Sequence, residues 1–171
     1  MKTINKIIFF YLVIFVSSTL FAEQISKQCF SRYLDSKAHF INDDKFDEFD
    51  FSGILADTRT KFLGYIGADY HRLHLNFSSV KKASHTKYIV SGEYKITAEA
   101  RPFNGEIQIT KIKKYANLNY SVDDFMKGKI NAQGIALASF FLKGDGGFQA
   151  KGQILIKWYI DSDKNLAYDD I

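Results

Sequence analysis

Cysteine, proline and tryptophan occur once each in these 171 residues. The single cysteine, Cys29, cannot staple its own chain, so the fold must stand on a packed core. Any disulfide through Cys29 would join two molecules into a dimer. The single proline, Pro102, leaves the rest of the chain free of the residue that most often interrupts strands and helices. The apolar run Ile7–Val16 has ten residues, about half of the ~20 that a membrane-spanning helix needs.

Signatures of catalysis and metal binding are missing too. There is no His-Glu-x-x-His and no Cys-x-x-Cys, and His71 and His74 are three apart, which on a strand sends them to opposite faces. Asp161-x-Asp163-x-Asn165 begins like a calcium loop, but Leu166 stands where glycine is needed and the closing glutamate is absent, so a hairpin turn is expected. Gly144-x-Gly146-Gly147 joins two strands, whereas a phosphate-cradling loop opens a helix. No Gly-x-Ser-x-Gly elbow occurs. The adjacent acids Asp43-Asp44, Asp123-Asp124 and Asp169-Asp170 diverge along the chain and make no acid/base dyad. No enzyme, metal or cofactor is expected.

What the chain does carry begins at its front. Lys2 and Lys6, the run Ile7–Val16 and the small residues of Ser17–Ala22 predict a signal peptide, cleaved after Ala22, and export to the periplasm or beyond. Ser26-Lys27-Gln28 before Cys29 is no lipobox, and no stable membrane insertion is expected once the signal is gone. Cleavage takes away two lysines and no acid, so the formal charge falls from +4 to +2. Lys81-Lys82 with His85 and Lys87, and Lys111 with Lys113-Lys114, are narrow basic clusters that suit the edges of a sheet. They do not make the broad footprint of a nucleic-acid binder.

Between Gln24 and Ser36, Ile25, Cys29, Phe30, Tyr33 and Leu34 group on one face of a short amphipathic helix. Residues 42–50 read as an acidic connector. Strand patterns then follow in close succession: Phe49 into Leu55, Lys61 to Ala68, His71 to Val80, Tyr115 to Val122, Ile130 to Leu142, Phe148 to Ile160 and Leu166 to Asp169. The clearest is Tyr88–Thr110, where two alternating runs flank Arg101-Pro102 and predict a hairpin with the proline in its connection. Ile130 to Leu142 is apolar on both parities, as in a strand covered on both sides. Lys143 to Gly147 is the strongest turn signal. About eight antiparallel strands with small sequential turns predict an up-and-down barrel, closed so that no sheet edge is left exposed.

Glycine recurs after a polar residue at Gly53, Gly92, Gly105, Gly134 and Gly152, which suits strands that must coil sharply. Tyr65, Tyr70, Tyr88, Tyr94, Phe103, Phe140, Phe148 and Trp158 either fill the core or line a cavity. If a cavity exists, Tyr88, Tyr94, Phe103 and Trp158 are its candidate wall and Arg101 its candidate rim charge. Period two does not say which face points outward, so a small outer-membrane barrel is an alternative. The amphipathic front helix, the doubly apolar run 134–142 and Asp169-Asp170 at the terminus argue against it.

Ser79-Val80-Lys81-Lys82, Tyr88-x-Val90-x-Gly92, Phe103-x-Gly105-x-Ile107-x-Ile109, Trp158-Tyr159-Ile160-Asp161 and Tyr168-Asp169-Asp170 together resemble a group of uncharacterised small exported bacterial proteins. The resemblance covers roughly residues 49–171. It implies an all-β, lipocalin-like (calycin-like) architecture and brings no activity and no functional residues. The sequence thus predicts a signal peptide at 1–22, a helix and connector at 23–46, and an antiparallel barrel at 47–171. It points to a non-catalytic exported module that binds a small apolar ligand or an envelope protein. The alternative is an inhibitor or surface-interaction protein that uses its loops, with a solid barrel behind them.

Overall fold

The structure, a computed structural model, describes residues 40–42, 49–60, 62–120 and 126–169, the first three by their backbone alone. The expected signal peptide, the Gln24–Ser36 helix with Cys29, and most of the acidic connector lie outside the described residues. The elements are β1 (Phe40–Asn42), α1 (Ser52–Ala56), β2 (Phe62–Ile66), β3 (His71–Lys82), β4 (Lys87–Lys95), β5 (Ala100–Tyr115), β6 (Ile130–Gly144), β7 (Gln149–Asp161) and β8 (Leu166–Tyr168).

The alternating runs become what alternation dictates. β2 to β8 form a seven-stranded antiparallel meander, each strand bonded to the next, curled into a half-barrel. One parity of each strand faces inward: Leu73, Leu75 and Phe77 from β3, Tyr88, Val90 and Tyr94 from β4, Phe103, Ile107 and Ile109 from β5, Ala136, Ala138 and Leu142 from β6, and Ile154, Ile156 and Trp158 from β7. The 16 residues of β5 outrun the nine of β4. β1 takes up the edge that β4 does not reach, pairing Phe40 to Asn42 with Tyr115 to Lys113.

In place of the closed barrel expected from the pattern, the sheet curls only part of the way. Among the described residues β2 pairs with β3 alone and β8 with β7 alone. α1 packs against both β3 and β8, and so bridges the open side. The expected strand from Phe49 to Leu55 is therefore a helical turn. Phe51, Ile54 and Leu55, spaced three and four apart, turn one buried face inward. The Asp50 carboxylate accepts the Ser52 N–H at 2.9 Å, which fixes the turn into the helix. Asp57 ends it, accepting the Arg59 backbone N–H at 2.9 Å and gripping its guanidinium at 2.8 and 3.0 Å.

Two further expectations are corrected. Arg101-Pro102 lies within β5, not in the hairpin connection, which is Ile96–Glu99; Pro102 is the register partner of Glu93. β6 ends at Gly144 opposite Phe103, so Pro102 has a strand on one side only and the missing N–H breaks no second ladder. The strand expected over Tyr115–Val122 is not found over the described residues 116–120, β5 ending at Tyr115, and its last two residues lie outside the described residues. Beyond it Asn119 bonds the Gln133 side chain instead of a strand, its N–H donating at 2.7 Å and its carbonyl accepting at 2.8 Å. Gln133 also donates to the Asp169 carboxylate at 3.2 Å. This cluster lies on the outward parity of β6, where Gln133 and Ile135 are buried. The start of β6 is thus covered on both faces, as its doubly apolar pattern predicts.

Candidate functional site

Polar side chains from β3 and β4 meet the backbone of Phe49–Phe51 where it crosses the open side. A β-bulge between Phe77 and Ser79 shifts the phase of β3, so that Val80 and Lys82 turn inward beside Val90 and Tyr88. Lys82 Nζ donates to the Phe49 carbonyl at 2.7 Å. The Tyr88 hydroxyl oxygen accepts the Phe51 N–H at 3.1 Å. Phe49 lies parallel to Phe51, with centroids 6.0 Å apart, and meets the Trp158 indole edge-on at 5.0 Å. The segment therefore touches the paired strands β3 and β4 on one side and β7 on the other.

Two buried polar groups here have hydrogen-bonding capacity left among the described residues. Trp158 is 0% exposed and its Nε1–H has no acceptor among the described residues. Tyr88 is also 0% exposed, and its one hydrogen bond among the described residues is the one that it accepts from Phe51. Burial pushes the Tyr88 hydroxyl above its ordinary pKa; the Phe51 N–H works against this and the Asp50 charge adds to it. At Asp50 burial works to raise the pKa. The Ser52 N–H and hydroxyl, together with the charge of Lys82, outweigh it and leave the carboxyl below its usual value.

The other predicted wall residues sit towards the opposite end. Tyr94 stacks on Phe148 at 3.7 Å, nearly parallel. Phe103 meets Phe77 edge-on at 5.6 Å, and Phe77 meets Phe62 at 5.1 Å. Arg101, the register partner of Tyr94, is exposed and lies 3.6 Å from the Glu99 carboxylate. The structure thus brings Tyr88 and Trp158 to one segment, places Tyr94 and Phe103 elsewhere in the same core, and leaves Arg101 outside it. Tyr65 and Tyr70, expected among the cavity or core aromatics, are 67% and 65% exposed. Tyr65 has the outward parity of its strand, and Tyr70 stands in the β2–β3 turn with φ at 53°.

Sequence reasoning missed Lys82, Phe49, Asp50 and Phe51. Alternation assigns Lys82 to an exposed cluster, and only the bulge reverses it. No group of three or more metal-ligating side chains occurs among the described residues. Asp161 shapes a turn, accepting the Asn165 N–H at 2.8 Å and its side-chain amide at 3.1 Å. No helix among the described residues is long and apolar enough to cross a membrane. In comparisons with known proteins, the chain matches no family model, no curated protein and no solved structure.

Proposed function

We propose that this protein is an exported, non-catalytic binding module whose half-barrel receives a small apolar ligand at the side bridged by Phe49–Leu55. The observation that carries the reading is the way the apolar interior is sealed. Strand pairing closes the rest of the sheet through long ladders, whereas the open side is covered by a five-residue helix. A helix that short has no stability of its own, so it is the part of the wall that opens at least cost. Apolar interiors with a few placed polar groups are the usual seats of small molecules.

The same reading keeps the expected kinship with small exported bacterial proteins of lipocalin-like character, with the barrel left as a half-barrel and the signal peptide and amphipathic helix before it. A membrane barrel fits less well. The outward parity of β3, β4, β5 and β7 carries Arg72, Lys81, Lys95, Lys111 and Lys151, and an outer-membrane barrel needs an apolar band there. A surface-interaction protein with a filled interior is the second reading. It draws on β2, a charge-free edge strand with Leu63 59% and Tyr65 67% exposed.

Native mass spectrometry of the gently purified chain, with titration of an apolar fluorescent dye, separates the two. On the ligand reading, a copurified small molecule or saturable dye binding at one site is expected. Neither signal, with a protein recovered on β2 instead, would establish the second reading.

A further inference from the structure

The polar groups around Phe49–Phe51 have a common character: they are donors. Lys82 offers an ammonium, Tyr88 a buried hydroxyl already bonded to the Phe51 N–H, and Trp158 a buried N–H with no partner among the described residues. Buried donors without acceptors are rare in folded proteins, because each forfeits its hydration without a replacement. The Trp158 N–H, beside this short segment, points to an acceptor from beyond the described residues.

The segment now in place shows what chemistry the seat accepts. Phe49 and Phe51 fill apolar space and the Phe49 carbonyl takes the Lys82 ammonium, while the Asp50 carboxylate faces solvent and accepts the Ser52 N–H. The seat thus takes apolar groups joined to an acceptor oxygen, and the Lys82 ammonium beside it favours an acceptor that carries negative charge. The helix that follows the segment is short. α1 has five residues and no side-chain bond at its N-cap.

We propose that this seat binds an amphiphile with a carboxylate head on an apolar chain, which displaces Phe49–Phe51. Lys82, Tyr88 and Trp158 donate to the head, and the core face of the half-barrel takes the chain. This rests on the ligand-binding reading above and narrows it to one class. A cationic head is disfavoured, since it would face the Lys82 ammonium, and an uncharged head gains less, since it offers only a neutral acceptor like the Phe49 carbonyl it displaces.

Calorimetric titration of the full chain with dodecanoate, dodecanol and dodecyltrimethylammonium tests it. Dodecanoate should bind about tenfold tighter than dodecanol or better, the advantage of a charge-assisted hydrogen bond, and the cation weakest. Lys82→Met should bring the carboxylate-to-alcohol ratio close to one, and Lys82→Arg should retain most of it. Lys151→Met, on the outer face, should leave the ratio as it is. Should circular dichroism show Lys82→Met unfolded, Tyr88→Phe and Trp158→Phe carry the test, each expected to reduce the ratio. Equal binding of dodecanoate and dodecanol overturns the anionic-head assignment and leaves the apolar-ligand reading standing. Binding of none of the three overturns both.

Discussion

At Gly92 a methyl group has no room: a Cβ built there overlaps the carbonyl of Asn76 and crowds the Phe77 backbone. The strand cannot yield, because both neighbours belong to the β3 ladder. Gly92→Ala should therefore destabilise the fold by about 2 kcal/mol or more, read from urea unfolding, and an unchanged midpoint would contradict the packing described. Tyr88 makes a prediction with a sign. Its hydroxyl pKa is raised by burial, so the folded chain holds a proton that the unfolded chain releases. Its contribution is intact below the ordinary value of 10.0 and falls as pH climbs from there towards the folded value. Tyr88→Phe should lose about 1 kcal/mol at neutral pH, because the Phe51 N–H loses its acceptor. That deficit should shrink above about pH 10, measured as paired urea midpoints across the alkaline range. That Tyr88, Tyr94, Phe103 and Trp158 stand on the apolar parity of their strands was legible from period two. The inward turn of Lys82 was not, because a single bulged residue reverses every later side chain without changing local composition.

Among the elements, α1 matters most to the proposed function. Gly53 lies in its exposed interior with nothing within 4 Å of a built Cβ, so Gly53→Ala should stabilise the helix by up to ~1 kcal/mol. The same change should weaken uptake of an apolar dye several-fold, since the closed form gains. A variant that is more stable and binds as before would detach α1 from any gating role. β2 makes a second test. Its charge-free edge predicts concentration-dependent self-association, and a Leu63→Lys, Tyr65→Lys double variant should abolish it in analytical ultracentrifugation. Most strands could be read directly, with ends within a few residues, because alternation and the turn signal at Lys143–Gly147 act locally. The misreadings share a cause. Phe49–Leu55 holds too few residues to separate helical from strand spacing, and its contacts with β3 and β8 decide the matter. The stretch after Tyr115 keeps a strand-like alternation, yet Gln133 claims its backbone groups. Pro102 enters a strand because β6 stops one residue short of it.

The described residues form an all-β half-barrel, and Lys82 and Tyr88 reach its interior where the sheet fails to close. Fold class, strand order and the aromatic core could be derived from the sequence, since they follow from periodicity and turns. The incomplete closure could not, because it depends on pairing between β2 and β8, the first and last strands of the meander, and no local pattern reports it. The seat was equally hidden, being assembled from residues 49–51, 82, 88 and 158. The central claim is that a ligand replaces Phe49–Phe51 against Trp158, the only tryptophan in the chain. Titration with a bromine-substituted acyl chain, read as quenching of indole fluorescence, measures this directly. Saturable quenching with one ligand per chain, competed away by unlabelled dodecanoate, is the expected result. Quenching that rises linearly without saturating, or none at all, would contradict it.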